Sequence, residues 1–204
     1  MKKNTLVQFL ALGLLVMPAV AFSDGPRVYV KAAVGGSQAK VSTFLGAGTK
    51  QKTGPMGQLA VGGEYTFGSG MYVAGEVSAG RDALSIKATD SDGDIVAYKA
   101  KGSLGAALQG GYSWDNAHVA YVRAGFERVF WRQNFSVGGS TIPKSFTPTF
   151  FVPGVGYKYR LTDNWALGAE YQKGLSKKVT PSSTSQQSAK WSYQRLLLGA
   201  TYRF

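Results

Sequence analysis

The last ten residues, RLLLGATYRF from Arg195 to Phe204, constrain the fold more than any other stretch of the chain. Leu196, Leu198, Ala200, Tyr202 and Phe204 are apolar at every second position, and Arg195, Leu197, Gly199, Thr201 and Arg203 between them are mostly polar or small. Successive side chains of a strand point to opposite faces, so one face here is apolar and aromatic while the other carries arginine.

The opposite end adds a destination. Lys2 and Lys3 precede an apolar stretch from Leu6 to Val20, and Ala19-Val20-Ala21 supplies small residues for cleavage. That pattern predicts a secretory signal over residues 1–21, removed after Ala21, with residues 22–204 forming one domain. No run of roughly 18 apolar residues remains, which excludes a helical membrane anchor. The chain has no cysteine, so disulfides and thiol chemistry drop out. Its net charge of +12, or +10 without Lys2 and Lys3, suits anionic partners.

Eight strand-like segments follow: Arg27–Ser37, Gly57–Phe67, Met71–Gly80, Lys101–Ser113, Ala117–Trp131, Thr149–Leu161, Trp165–Gly174 and Trp191–Phe204. A period of two fits them better than one of 3.6. Leu59, Val61, Tyr65 and Phe67 alternate with Gln58, Ala60, Glu64 and Thr66, for example. Tight turns at Gly68-Ser69-Gly70, Asp115-Asn116 and Thr162-Asp163-Asn164 alternate with long connections at Gln38–Met56, Arg81–Ala100, Arg132–Pro148 and Leu175–Lys190. The pattern predicts an all-β fold, an eight-stranded antiparallel up-and-down transmembrane β-barrel in an outer membrane. A mean hydropathy of −0.09 fits, because only half of each strand then faces lipid.

Aromatics mark the expected membrane boundaries. Tyr65, Phe67, Tyr112, Trp114, Tyr157, Tyr159, Trp165, Tyr202 and Phe204 share the lipid-facing parity near the short turns or the C-terminus. Phe126, Phe130, Phe151 and Tyr171 make a sparser second girdle. The segment GVGYKYRLTDNWALGAEYQKG from Gly154, followed by RLLLGATYRF, resembles small bacterial outer-membrane barrels of the OmpA/OmpX type and the opacity-protein-like surface antigens. The resemblance implies a structural membrane component, adhesin or surface antigen. It also implies that the terminal aromatic, Phe204, is the signal read by the insertion machinery. The expected likeness is to the free-standing barrels rather than to those that carry a peptidoglycan-binding domain.

The same parity turns Lys31, Glu64, Glu76, Arg123, Glu127, Lys158, Glu170 and Arg195 inward, four acids against four bases. An unpaired buried charge costs several kcal/mol, so such charges must be matched or wetted. Eight strands enclose a lumen just wide enough for side chains. Inward glycines at 35, 62, 105, 125, 156 and 168 are expected to leave room for long charged side chains. Either a salt-bridged plug or a narrow, gated conductance follows from such a network.

Catalysis finds no support. The single histidine, His118, falls beside the Asp115-Asn116 turn, at the wrong end for a lipid A-modifying site, and lacks an assembled nucleophile and acid. A barrel protease would need more strands and an Asp–His pair. Asp90-Ser91-Asp92-Gly93-Asp94 resembles a calcium loop, but its glycine is misplaced and Lys101 stands where a glutamate is required. No metal, cofactor or catalytic residue is therefore expected.

Lys50, Lys52, Lys177 and Lys178, with Lys40, Lys173 and Lys190 nearby, gather on the first and fourth long connections, which become neighbours once the last strand pairs with the first. They are the candidate anion-binding residues. The expected partners are outer-membrane lipids and lipopolysaccharide, barrel assembly machinery and periplasmic chaperones, and host surface glycans or proteins. Nucleic acid is not among them, and the barrel is expected to be a monomer. The expected role is structural and surface-interacting, with a narrow porin-like channel for ions or small solutes as the alternative and a lipid A-modifying enzyme as a distant one.

Overall fold

The computed structural model describes residues 25–42, 49–89, 95–137, 140–179 and 189–204. The signal segment and Asp90–Asp94 lie outside them. The described chain forms β1 (Arg27–Ser42), β2 (Thr49–Thr66), β3 (Met71–Asp82), β4 (Ser85–Thr89), β5 (Ile95–Trp114), β6 (His118–Val137), β7 (Ser140–Phe146), β8 (Thr149–Phe151), β9 (Gly154–Arg160), β10 (Trp165–Val179) and β11 (Ala189–Arg203). No described helix is long and apolar enough to cross a membrane.

β3 with β4, and β7 with β8 and β9, are interrupted single staves, so eight staves make the wall. Every neighbour is antiparallel, and β1 pairs β11 from Tyr29↔Arg203 to Ser42↔Lys190, which closes the ring. Closure leaves no stave without a partner on either side, which removes the unpaired backbone edge that lipid could not satisfy. Prolines explain breaks in the sixth stave. Pro148 and Pro153 lack an N–H, but their carbonyls still accept from Val129 and Lys173, at 3.0 and 2.9 Å.

The stagger follows from the pairing. Traced through β2, β3 and β5, the row of Lys31 arrives at Glu127 on the fifth stave. Traced the other way, through Thr201, Ala166 and Arg160, it arrives at Ala117, ten residues earlier. A ten-residue stagger over eight strands tilts them by roughly 40° from the barrel axis.

One end carries the short turns. Gly70 has φ +84°, and Asp115 and Asn116 follow each other with φ +53° and +52°, the left-handed pair of a two-residue hairpin. Thr162 Oγ1 accepts from the backbone of Asn164 and Trp165 in the third.

The other end differs from the sequence expectation. The presumed long connections are largely strand: β1 continues to Ser42, β2 starts at Thr49, β10 runs to Val179, and the stretch from Arg81 contains β4. Their composition reads as loop because the outward face turns polar there, while apolar side chains continue only on the inward face. The backbone still pairs, and side chains pair with it, as in Gln38 Nε2 to Thr53 Oγ1 at 3.3 Å.

The wall is inverted relative to a water-soluble protein. Val34, Leu59, Leu108, Val122 and Leu198 point outward and are each more than 60 % exposed. Charged and polar groups fill the interior at mid-barrel and toward the short turns.

Candidate functional site in the barrel lumen

Mid-lumen, four inward side chains form a closed ring. Lys31 Nζ lies 3.0 Å from Glu76 Oε2 and 3.4 Å from Glu170 Oε2. Arg123 Nε lies 3.3 Å from Glu76 Oε1 and 3.4 Å from Glu170 Oε1. The four come from β1, β3, β6 and β10, which are every second stave, so alternating inward side chains meet in one layer. Tyr29 donates to Glu76 at 3.1 Å, and Tyr121 donates to Glu170 at 2.6 Å.

Toward the short turns the remaining staves supply a second cluster. Glu64 takes Lys158 at 3.2 Å and Arg203 at 3.5 Å. Tyr72 donates to the same carboxylate at 3.1 Å. The Lys158 ammonium sits 4.9, 5.0 and 5.2 Å from the ring centres of Tyr29, Tyr72 and Tyr121. That three-sided aromatic cage compensates part of its lost hydration.

Toward the long hairpins lies a third cluster. Arg195 Nη1 reaches both oxygens of Glu127 at 2.6 Å, and its Nη2 reaches Asp82 Oδ2 at 2.9 Å. Tyr193 donates to Glu127 at 2.7 Å and stacks under the guanidinium at 4.3 Å.

The structure thus places all eight inward charges named from sequence in the lumen, and it adds Asp82 and Arg203. The ten charges, five of each sign, are at most 8 % exposed. Asp82 carried a signal, since it extends the even-numbered inward series Tyr72, Ala74, Glu76 and Ser78 by parity. The presumed segment stopped two residues short of it. Arg203 shares the face of Arg195 in the same final strand. The tyrosines had a weaker signal, and the glycine expectation needs correction. The space over Gly62 and Gly156 is occupied by the rings of Tyr29 and Tyr121 directly opposite, rather than by long charged chains.

Above Arg195 the lumen becomes apolar. Val41, Ile86, Tyr98, Trp131, Phe150, Val152 and Trp191 belong to one buried cluster, with Trp191 centred 5.0 Å from Tyr98 and 4.9 Å from Trp131. Strand alternation continuing past the membrane carries these residues inward.

Other sequence candidates fall outside the lumen. His118 stacks flat on Trp114 at 5.5 Å and hydrogen-bonds the Tyr157 hydroxyl, both at the short-turn end. Phe204 is 68 % exposed, packs edge-on against Tyr202 and donates its backbone N–H to Val28 at 2.9 Å. Lys50, Lys52 and Lys178 are exposed, and the side chain of Lys177 lies outside the described residues. Lys50 pairs with Val41, Val41 with Trp191, and Trp191 with Lys177, so one row crosses the β1–β11 seam. Three strand spacings separate its ends by roughly 14 Å.

Comparisons agree with this architecture. The family model for the outer membrane protein beta-barrel domain matches residues 7–204. The crystal structure of Neisserial surface protein A superposes with a TM-score of 0.52 at 19 % identity, covering 88 % of this chain and 99 % of that one. Ail, the attachment invasion locus protein of Yersinia pestis, gives 0.50 at 18 % identity, covering 86 % and 98 %. No curated protein matches the chain. The lumen of matched charges, the apolar outer wall and the family match lead to one conclusion: the chain belongs to the outer membrane β-barrel family and resides in the outer membrane.

Proposed function

We propose that this barrel is a non-catalytic component of the outer membrane whose role is structural and surface-interacting, with its long basic hairpins as the contact surface. The observation that supports this most is the double closure of the lumen. A neutral charge network is overlaid by the apolar cluster around Trp191, itself only 1 % exposed. Both layers oppose passage through the lumen, which supports assigning contact chemistry to the hairpins. In this reading the chain is exported with cleavage after Ala21 and inserted with Phe204 as the assembly signal. Lys50, Lys52, Lys177 and Lys178 engage polyanions, either lipopolysaccharide phosphates or sulfated host glycans. The position of His118 among outward aromatics at the short-turn end supports the non-catalytic part.

The test is binding of heparin and lipopolysaccharide by the purified barrel at low and physiological salt. The comparison is a variant carrying Lys50→Ser, Lys52→Ser, Lys177→Ser and Lys178→Ser. Exposed charges are screened over roughly 8 Å at physiological ionic strength, so binding should fall steeply with salt and be weaker in the variant. Equal binding by both proteins at both salts would remove the adhesin argument.

A second reading, a narrow channel, is favoured by the unpaired buried atoms Gln58 Oε1, Gln109 Nε2 and Gln172 Oε1 along the lumen. A space of about 20 Å³ beside Lys31 and Glu170 accompanies them. Such groups are satisfied by water, and connected water is what a conductance needs.

A further inference from the structure

The outward wall carries one long trench. Its space of about 1050 Å³ follows two neighbouring rows of paired residues across β3, β2, β1, β11, β10 and β9. The floor changes row so as to stay on small residues: Ala79, Gly57, Ala32, Ala200 and Ala169. Val34 and Leu198 stand along its upper side, and Leu59 and Leu167 along its lower side. Short side chains scattered over the wall would leave separate pits. Here they adjoin from stave to stave, and the pits join.

The slope and length suit a chain within one leaflet. Five strand spacings make the trench roughly 24 Å long. Rows perpendicular to staves tilted by roughly 40° climb about 15 Å over that length, half the hydrocarbon thickness of a bilayer. The low end lies at Tyr157 and Tyr159, toward the short turns, and the high end at Arg81, toward the long hairpins.

The high end is charged. Along the outward face of β3, Met71, Val73, Gly75, Val77 and Ala79 carry no charge, and Arg81 is the first residue that does. Arg81 and Gly57 also line a surface depression of about 600 Å³ that Lys99 and Lys101 border. All three cations are exposed, and none has a carboxylate partner among the described residues. An apolar trench ending under three unpaired cations is complementary to an acyl chain joined to a phosphorylated headgroup.

We propose that the trench seats one acyl chain of lipid A, with a lipid A phosphate among Arg81, Lys99 and Lys101. The direction of climb selects the leaflet, because the headgroup end is the long-hairpin end. The proposal rests on those hairpins facing away from the cell, as in the reading above, and not on their lysines.

Headgroup and chain are tested separately. Lipid retention by the detergent-solubilised, full-length barrel would be measured by native mass spectrometry. Lipid A should be held about tenfold more tightly than dephosphorylated lipid A with the same chains. The variant Arg81→Gln, Lys99→Gln, Lys101→Gln should lose that preference. Lys50→Ser with Lys52→Ser, which alters the hairpin surface alone, should keep it. For the chain, a Cβ added at Gly57 meets only the Ala33 carbonyl oxygen, at 4.0 Å, so Gly57→Leu fills the trench floor without straining the wall. It should weaken both lipids by about threefold, because a chain leaving detergent for the trench gains packing contacts rather than hydrophobic transfer. Gly110→Leu, at an outward position off the trench where a Cβ meets nothing within 4 Å, should leave retention unchanged. Every variant should keep the heat-modifiable mobility of a folded barrel. Equal retention of phosphorylated and dephosphorylated lipid A by the parent would overturn the proposal. So would Gly57→Leu behaving like Gly110→Leu, since the trench would then hold no particular chain. Loss of the preference in the Lys50 and Lys52 variant, or phosphatidylglycerol held as tightly as lipid A, would reduce the rim to a generic cationic surface and overturn it as well.

Discussion

Glu76 and Glu170 stand on opposite walls of the barrel and are bridged by the same two cations, Lys31 and Arg123, each of which contacts both carboxylates at 3.0–3.4 Å. The ring ties four staves together across the lumen. Each of its members neutralises two others, so losing one leaves two buried charges with half their compensation. This coupling is the main physical content of the interior.

Arg123→Ala or Glu170→Ala should therefore destabilise the folded barrel by about 3–5 kcal/mol, the cost of stranding a buried partner. Urea titrations in bilayers measure it. Unchanged midpoints for both variants would mean that the lumen is wet around the ring.

A neutral pair of changes should be milder than its parts. Lys31→Met with Glu76→Gln removes one charge of each sign, so the double variant should be more stable than the sum of the singles by roughly 1–3 kcal/mol. A double-mutant cycle in the same bilayers measures that coupling, and strict additivity would contradict it.

The tyrosine rings rest on glycines, which makes those glycines sensitive. The ring of Tyr121 lies against Gly156, so Gly156→Ala must displace it from Glu170 and should cost about 1–3 kcal/mol. At Gly36 an added methyl meets nothing within 4 Å, and Gly36→Ala should be close to neutral by the same titration.

Phe204 should matter more for assembly than for the folded state. Its ring is largely exposed to lipid and contributes a few kcal/mol at most. Phe204→Ala is expected to lower the heat-modifiable band in outer-membrane fractions and to raise periplasmic aggregate. The urea midpoint of whatever folds should change little. Equal band intensities for mutant and wild type at high expression would contradict this.

Much of this was legible because strand parity is a strict rule. One decision about which residues face in placed Lys31, Glu64, Glu76, Arg123, Glu127, Lys158, Glu170 and Arg195 together. Three things were not legible. Cross-lumen partners depend on the stagger and tilt, which put Lys31 beside Glu76 rather than beside the inward residues of its paired rows, Ala60 and Thr201. Strand ends above the membrane lose their apolar face, so Asp82 and the hairpin extensions read as loop. The apolar cluster of Ile86, Tyr98, Trp131 and Trp191 joins residues from several staves, and no local pattern announces that they meet.

In the proposed reading the lumen is closed twice, by paired charge and by the apolar cluster above it. Single-channel recording of the purified barrel in planar bilayers tests it most directly. The wild type should show no discrete conductance steps, and steps should arise only after Trp131→Ala with Trp191→Ala is combined with Arg123→Ala. Stable, reproducible openings of the unmodified protein would contradict the closed lumen and establish the channel reading in its place.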